Sequence, residues 1–233
     1  MKEWAGFDRK LYDFPDVDHI LGLTHGTAQR WVNGYERRGV HYPPVVRERA
    51  ISPESLVTWG EFVEVFYLAR FRDDGIPLRR LRRILMSVRE RTGVHYLFGH
   101  DKTGLKSNAR IREIILEVQQ KEGFPTFLVK RTGQGMLHLW DEAEERLSKI
   151  EFRQGVAVGL QPRLELPNIF VRGEEFFGKP KIKGTGISPI ALAAPVISGT
   201  PKKHVAESYG VRVSVVNEAG KFEFGRRWAF AAA

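Results

Sequence analysis

The stretch LGLTHGTAQRWVNG, residues 21–34, decides how the N-terminal part of this chain is read. Upstream of it Asp13 stands where a helix cap belongs, and Pro15 sits in the first turn, where a missing N–H costs nothing. A helix is therefore expected to run to Leu21. Gly22 supplies the permissive backbone of a sharp turn. Thr24 is placed to cap a second helix whose Ala28, Trp31 and Val32 share one face, opposed by Val17, Ile20, Leu21 and Leu23. His25, Thr27, Gln29, Arg30 and Asn33 are left on other faces, a set of donors and acceptors suited to major-groove base edges and phosphates. Two short helices also meet at a glycine in many proteins that read nothing, so the flanks have to weight the choice.

The flanks favour a winged helix-turn-helix. Arg37 and Arg38 precede HYPPVVRER, residues 41–49, where two prolines bar a helix and Arg47 and Arg49 alternate in β fashion with Val46 and Glu48. Such a wing is expected to grip phosphate through these arginines. Ser52-Pro53-Glu54 then reads as the start of a long amphipathic helix carrying Leu56, Trp59, Phe62, Val63, Phe66 and Leu68. From about Pro77 another helix is expected, with Leu78, Leu81, Ile84, Leu85 and Val88 as its core stripe. Arg79, Arg80, Arg82, Arg83 and Arg89 fall around its other side. Few acids stand at helical spacing to neutralise them, which leaves a solvated face and a phosphate- or partner-facing one both open.

The whole chain has 233 residues, a formal charge of +9 and a pI near 9.8. That balance favours an acidic polymer or an acidic protein as partner. The absence of cysteine excludes disulfides, thiolate nucleophiles and Cys-ligated metals. No run of apolar residues reaches signal-peptide or membrane-span length, so a cytoplasmic protein without a membrane partner is expected. The closing AAA is set aside as a possible cloning remnant.

Between residues 92 and 167 the runs HYLFG, TFLVK, GMLHLW, KIEF and VAVGL are β-prone and broken by Gly, with one helix expected over residues 141–149. ARIREIILEVQQK suits either element, and its β-branched content inclines the reading to a strand. His95 and His100 have no third ligand at a known spacing and read as structural, so no metal or other cofactor is expected. The organisation expected is α+β, mainly helical: residues 1–91 a DNA-binding domain, 92–167 a small β-rich middle, and 168–233 a small helical bundle after a linker over residues 167–173.

The last segment, FFGKPKIKGTGISPIALAAPVISGTPKKHVAESYGVRVSVVNEAGKFEF, offers glycines and lysines in the wrong order for a P-loop, since no Gly-Lys-Ser/Thr opens a helix. It resembles the small antitoxin domain of the VapB type, read through Gly178, Pro180, Ile182, Gly184, Thr185, Ile187, Pro201, Ala206 and Tyr209. With the N-terminal MerR-like helix-turn-helix, the architecture is similar to a mycobacterial VapB-type antitoxin over nearly the whole chain. The sequence departs from that pattern at Gly186, where an Arg is usual, and at Asp18, where a small apolar residue is usual. The second departure suggests looser helix packing or a side chain tilted outward.

The resemblance implies an antitoxin that silences a cognate VapC-type PIN-domain ribonuclease and represses its own operon by binding operator DNA. A homodimer is expected from the two-fold symmetry of such operators. The tail KFEFGRRWAF offers Phe222, Phe224 and Trp228, with Phe230, as apolar anchors and Arg226 or Arg227 to pair with the toxin's acids. The same aromatics can simply close the core of the bundle. A ligand-responsive regulator without a toxin is the alternative. No enzyme is expected, because no triad order, paired-carboxylate cleft or metal spacing stands out and Glu174-Glu175 reads as solvated surface.

Overall fold

Asp13 caps α1 (Phe14–Leu21), accepting the Asp16 N–H at 2.7 Å, and the helix ends at the left-handed Gly22. In the computed structural model, which describes residues 6–52, 54–73, 75–100, 109–121, 123, 129–131, 137–139, 149–225 and 227–228, α2 (Thr27–Asn33) follows. Thr24 does not cap it. Gly26 holds the N-cap position without a side-chain bond, and the cap comes from Asp18 in α1. The Asp18 carboxylate accepts the Gly26 N–H at 2.6 Å and the Ala28 N–H at 2.7 Å. An anion among the orphan N–H groups of a helix start is favourable on both hydrogen-bonding and dipole grounds. Asp18 is thus buried and turned inward, and it ties the two helices together, contrary to the outward tilt or loose packing expected of it.

β2 (Tyr35–Arg37) and β3 (Val40–Tyr42) pair antiparallel, with the rings of Tyr35 and Tyr42 stacked at 4.6 Å. Arg38 and Gly39 form the turn with φ 53° and 72°, the left-handed pair that a tight hairpin requires. Gly34 joins α2 to this hairpin at φ 74°, and a Cβ there would stand 2.6 Å from the Tyr42 carbonyl oxygen. The hairpin ends at Tyr42, so the strand expected to continue through Arg49 is not formed. Beyond it the chain folds back, the Val45 and Val46 N–H groups both donating to the Trp31 carbonyl at 2.8 and 3.1 Å.

The following helix starts later than Ser52. β4 (Val57–Thr58) pairs with β1 (Lys10–Tyr12), which holds the chain extended, and α3 (Trp59–Asp73) begins at Trp59 with Leu56 exposed outside it. Residues 59–69 and Phe71 are buried all round, so α3 is the central helix of its unit and not an amphipathic one. Aromatic rings pack about it, Tyr12 on Phe62 at 4.6 Å and Tyr67 on Phe98 at 4.5 Å. α4 (Leu78–Thr92) buries Leu81, Ile84, Leu85 and Val88 as its spacing predicts.

Residues 109–121 correct the strand reading: they form α5 (Ala109–Lys121). Ile111, Ile114, Ile115 and Val118 are buried at helical spacing, and that pattern outweighs β-branched propensity. The buried Gln119 donates to the Val129 carbonyl at 3.0 Å and accepts the Val129 N–H at 3.1 Å. Val129 opens β5 (Val129–Arg131), which pairs with β6 (Leu137–Leu139). HYLFG is a 3-10 turn at Leu97–Gly99, not a strand. β7 (Ile150–Arg153) and β8 (Val156–Leu160) are linked through Gln154 and Gly155, both at positive φ. The helix expected over residues 141–149 lies outside the described residues except for Lys149, which is in a turn.

The chain separates into two compact units, Met1–Val158 and Gly159–Ala233. Trp59 Nε1–H donates to the Ala157 carbonyl at 2.7 Å, which shows the early part of β8 built into the first unit. In the second unit Gly159 and Leu160 pair with β9 (Ile169–Arg172), and β9 pairs with β10 (Lys181–Ile182). The stretch expected as a linker is thus largely a strand. α6 (Pro189–Ile197), α7 (Lys202–Tyr209) and α8 (Val213–Phe224) form the bundle, with Leu192, Val196, Val205, Val216, Ala219 and Phe222 buried. Gly220 lets Trp228 lie against α8, for a Cβ at this position would run into the indole. The architecture is α+β.

Candidate functional site

The face of α2 offers fewer side chains than its sequence promised. His25, Gln29 and Arg30 are exposed, although Arg30 folds along its own helix to donate to Thr27 Oγ1 at 3.0 Å. Thr27 and Asn33 are buried, so neither can reach a base edge. Arg37 and Arg38 are exposed on the hairpin, and Arg49 is exposed on the loop behind it.

Arg47 is the largest departure. It is buried at 8% exposure. Its guanidinium donates to both oxygens of Glu61, from Nε at 2.5 Å and Nη2 at 2.9 Å, and from Nη1 to Asn33 Oδ1 at 2.6 Å and Ser55 Oγ at 2.7 Å. A further bond from Nη2 reaches the Leu56 carbonyl at 3.0 Å. The bidentate fork matches the carboxylate as only arginine does. Arg47 therefore joins α2, the loop before β4 and the start of α3, with its guanidinium donors spent on protein acceptors. Asn33 serves the same network by donating to the Ser52 carbonyl at 3.3 Å.

The arginine side of α4 is likewise shared between roles. Arg79 and Arg83 are exposed, while Arg82 donates to the Pro44 carbonyl at 2.6 Å and steadies the chain leaving the hairpin. Arg89 is buried, donating to the His95 carbonyl at 2.7 Å with Nη2 at 3.7 Å from Glu64. Burial pushes the Glu64 carboxyl up to about 7, against the opposing pull of Arg89 and of the Phe98 N–H it accepts at 3.0 Å. Beside these groups a cleft of about 480 Å³ is lined by Asp8, Arg49, Arg89, His95 and Tyr96 among others. Among the described residues no three His, Asp or Glu gather as a metal site.

In the second unit the tail is mostly core. Phe222 and Trp228 are buried, which is the bundle-closing role and leaves neither as a partner's anchor. Arg163 lies over the Phe222 ring at 4.6 Å. Phe224 is half-buried with its ring 6.5 Å from that of Trp228, and Arg227 is exposed. Arg226 and Phe230 lie outside the described residues. Gly186 is not demanded by sterics: a Cβ there would meet only Phe176, at an ordinary 3.7 Å.

Sequence reasoning singled out Asp18 but not its capping role, and it missed the Phe176-Phe177 pair. A lone acid on an apolar helix face, eight to ten residues before a helix start with no cap of its own, was the available signal for the first. Phe176 and Phe177 both adopt left-handed backbone, φ 50° and 56°, at roughly 1–3 kcal/mol each. Nothing in residue type announces that conformation.

What the fold and its exposed faces define is an α+β chain with two short helices, a turn and a hairpin in one unit, and a three-helix bundle beside a small sheet in the other. The chain belongs to the family of Rv2308, an uncharacterized protein of Mycobacterium tuberculosis that is 32% identical over 218 residues, covering 91% of this chain and 89% of that one. It is also similar, at 25% identity over 233 residues, to a candidate antitoxin of the same organism named VapB45, with 91% and 93% covered. The crystal structure of Rv2018 from M. tuberculosis shares the fold, with a TM-score of 0.68 at 21% identity over 91% of this chain and 98% of that one. No family model matches. Among the described residues no helix is long and apolar enough to cross a membrane.

Proposed function

We propose that this chain is the antitoxin of a type II pair: it binds and silences a VapC-type PIN-domain ribonuclease, and as a homodimer it represses the operon encoding both. The observation that carries the reading is the end-to-end similarity to the candidate antitoxin VapB45, which spans both units and not a single shared module. His25, exposed in the turn before α2, and Gln29 and Arg30, exposed on α2, with Arg37 and Arg38 at the hairpin, supply a physical route to DNA: base-edge donors and acceptors together with cations for phosphate. The charge of +9 suits both partners, because a ribonuclease centred on carboxylates and a DNA backbone each present concentrated negative charge.

The test is co-expression with the protein encoded beside this gene, followed by purification and a ribonuclease assay. A stable complex with suppressed cleavage is expected. A neighbour that neither co-purifies nor loses activity would refute the reading. The cleft lined by Arg49, Arg89 and His95 favours a second reading, a regulator whose DNA binding answers to a small ligand. Operator binding that changes with a metabolite extract and never with the neighbouring protein would select it.

A further inference from the structure

The second unit holds a surface that its own fold does not explain. Phe176 and Phe177 lie in a 3-10 turn closed by the Gly178 N–H on the Glu175 carbonyl at 2.9 Å and the Lys179 N–H on the Phe176 carbonyl at 3.1 Å. Two adjacent phenylalanines in left-handed backbone are unusual, since a Cβ disfavours that region and glycine normally fills it. Both rings are nonetheless open to solvent, Phe177 75% exposed and Phe176 48%. The turn holds an aromatic ring out in water at a fixed angle, which pre-orders an anchor for binding.

The ground next to this turn is cationic. A shallow depression there is lined by Phe170, Arg172, Phe176, Lys179, Lys181 and Lys183, and Glu175 is its one acid, spent on Arg172 at 3.2 Å. Lys181 Nζ sits 4.4 Å over the Phe176 ring, Lys183 Nζ 5.9 Å over Phe170, and the Arg172 guanidinium 5.3 Å over the same ring. Cations resting on ring faces are held in place and partly dehydrated, ready to pair with carboxylates. Those ring faces are also closed to stacked bases. A single-strand platform needs successive open faces, and among the described residues of this cluster Phe170 and Phe176 each carry a cation over the ring.

We propose that Phe177 and the lysines 179, 181 and 183 form a docking surface for an acidic protein, the aromatic ring entering an apolar pocket while the ammonium groups pair with carboxylates at its rim. This rests on the reading of the chain as an antitoxin and makes the partner's acidic face the occupant. It moves the toxin contact away from the buried tail aromatics to a surface that is open. A large aromatic anchor entering a desolvated pocket is the kind of contact by which few residues carry most of an interface's affinity.

The test uses the full chain with the protein encoded beside its gene. Phe177→Ser and the pair Lys179→Glu with Lys183→Glu are each expected to weaken the complex by about tenfold or more. Wild-type affinity should fall with salt, and the thermal midpoint and operator binding of each variant should match wild type. Variants that keep wild-type affinity would overturn this surface while leaving the antitoxin reading intact. A wild-type chain that forms no complex would overturn both. Weakened binding of a single-stranded RNA oligonucleotide by the variants, with the protein complex unchanged, would show a nucleic-acid surface and overturn the proposal.

Discussion

Arg47→Ala separates a structural arginine from a phosphate-binding one. The substitution removes the partner of Glu61, whose carboxylate is buried at 8% exposure and held by both arms of the fork, and strips Asn33 and Ser55 of a donor. Breaking a buried pair from one side costs about 3–5 kcal/mol, because the remaining charge stays desolvated. Set against a typical domain stability of about 5–15 kcal/mol, that is a large share. Urea denaturation followed by tryptophan fluorescence reports it, since Trp31 and Trp59 are both buried in the first unit. Arg47→Ala is expected to lower the midpoint sharply, and Arg47→Lys to restore only part of it, because a point charge cannot reproduce the two-armed contact. Replacing the pair together, Arg47→Met with Glu61→Leu, should recover part of the loss, since no buried charge is left unpaired while Asn33, Ser55 and the Thr58 N–H still lack their partners. The reasoning is refuted if Arg47→Ala unfolds like wild type but binds DNA more weakly with a salt slope reduced by about one.

Asp18→Ala leaves the Gly26 and Ala28 N–H groups without their acceptor and should destabilise the first unit by about 2–4 kcal/mol in the same assay; a loss below about 0.5 kcal/mol would count against the cap. The Glu64 carboxyl, raised from 4.5 to about 7 by burial, keeps its proton in the folded state where the unfolded chain releases it. The folded state binds more protons in that window, so stability from this group is present below about 4.5 and is lost as pH rises through about 7. Glu64→Gln should flatten this part of the pH dependence, and equal slopes for variant and wild type between about pH 5 and pH 8 would contradict it. Phe177→Gly should raise the thermal midpoint of the second unit, because glycine takes φ 56° without strain; a lowered midpoint would mean the ring is packed in solution.

The sequence was most legible where periodicity and burial coincide. Leu81, Ile84, Leu85 and Val88 announce α4, and the Asp13 cap and Gly22 stop bracket α1. It was least legible where a polar residue is used internally. Arg47 and Asn33 look like DNA contacts by type, and only the three-dimensional approach of Glu61 and Ser55 shows that they are bonded to each other. α5 was misread because four β-branched residues on one face satisfy both a strand and a helix, and packing decides between them. Pairing with β1 explains the late start of α3, since a two-residue strand has no signature of its own. The exposure of His25, Gln29 and Arg30 follows from the apolar pattern that buries Ala28, Trp31 and Val32, whereas the Phe177 surface rests on a backbone conformation that side-chain pattern does not encode.

The most direct measurement of the central claim is growth. The protein encoded beside this gene is expressed alone and then together with this chain in a host lacking both. The account predicts arrest with cleaved RNA in the first case and restored growth with intact RNA in the second. Arrest that persists at full expression of this chain, or a neighbour with no effect on growth, would contradict it.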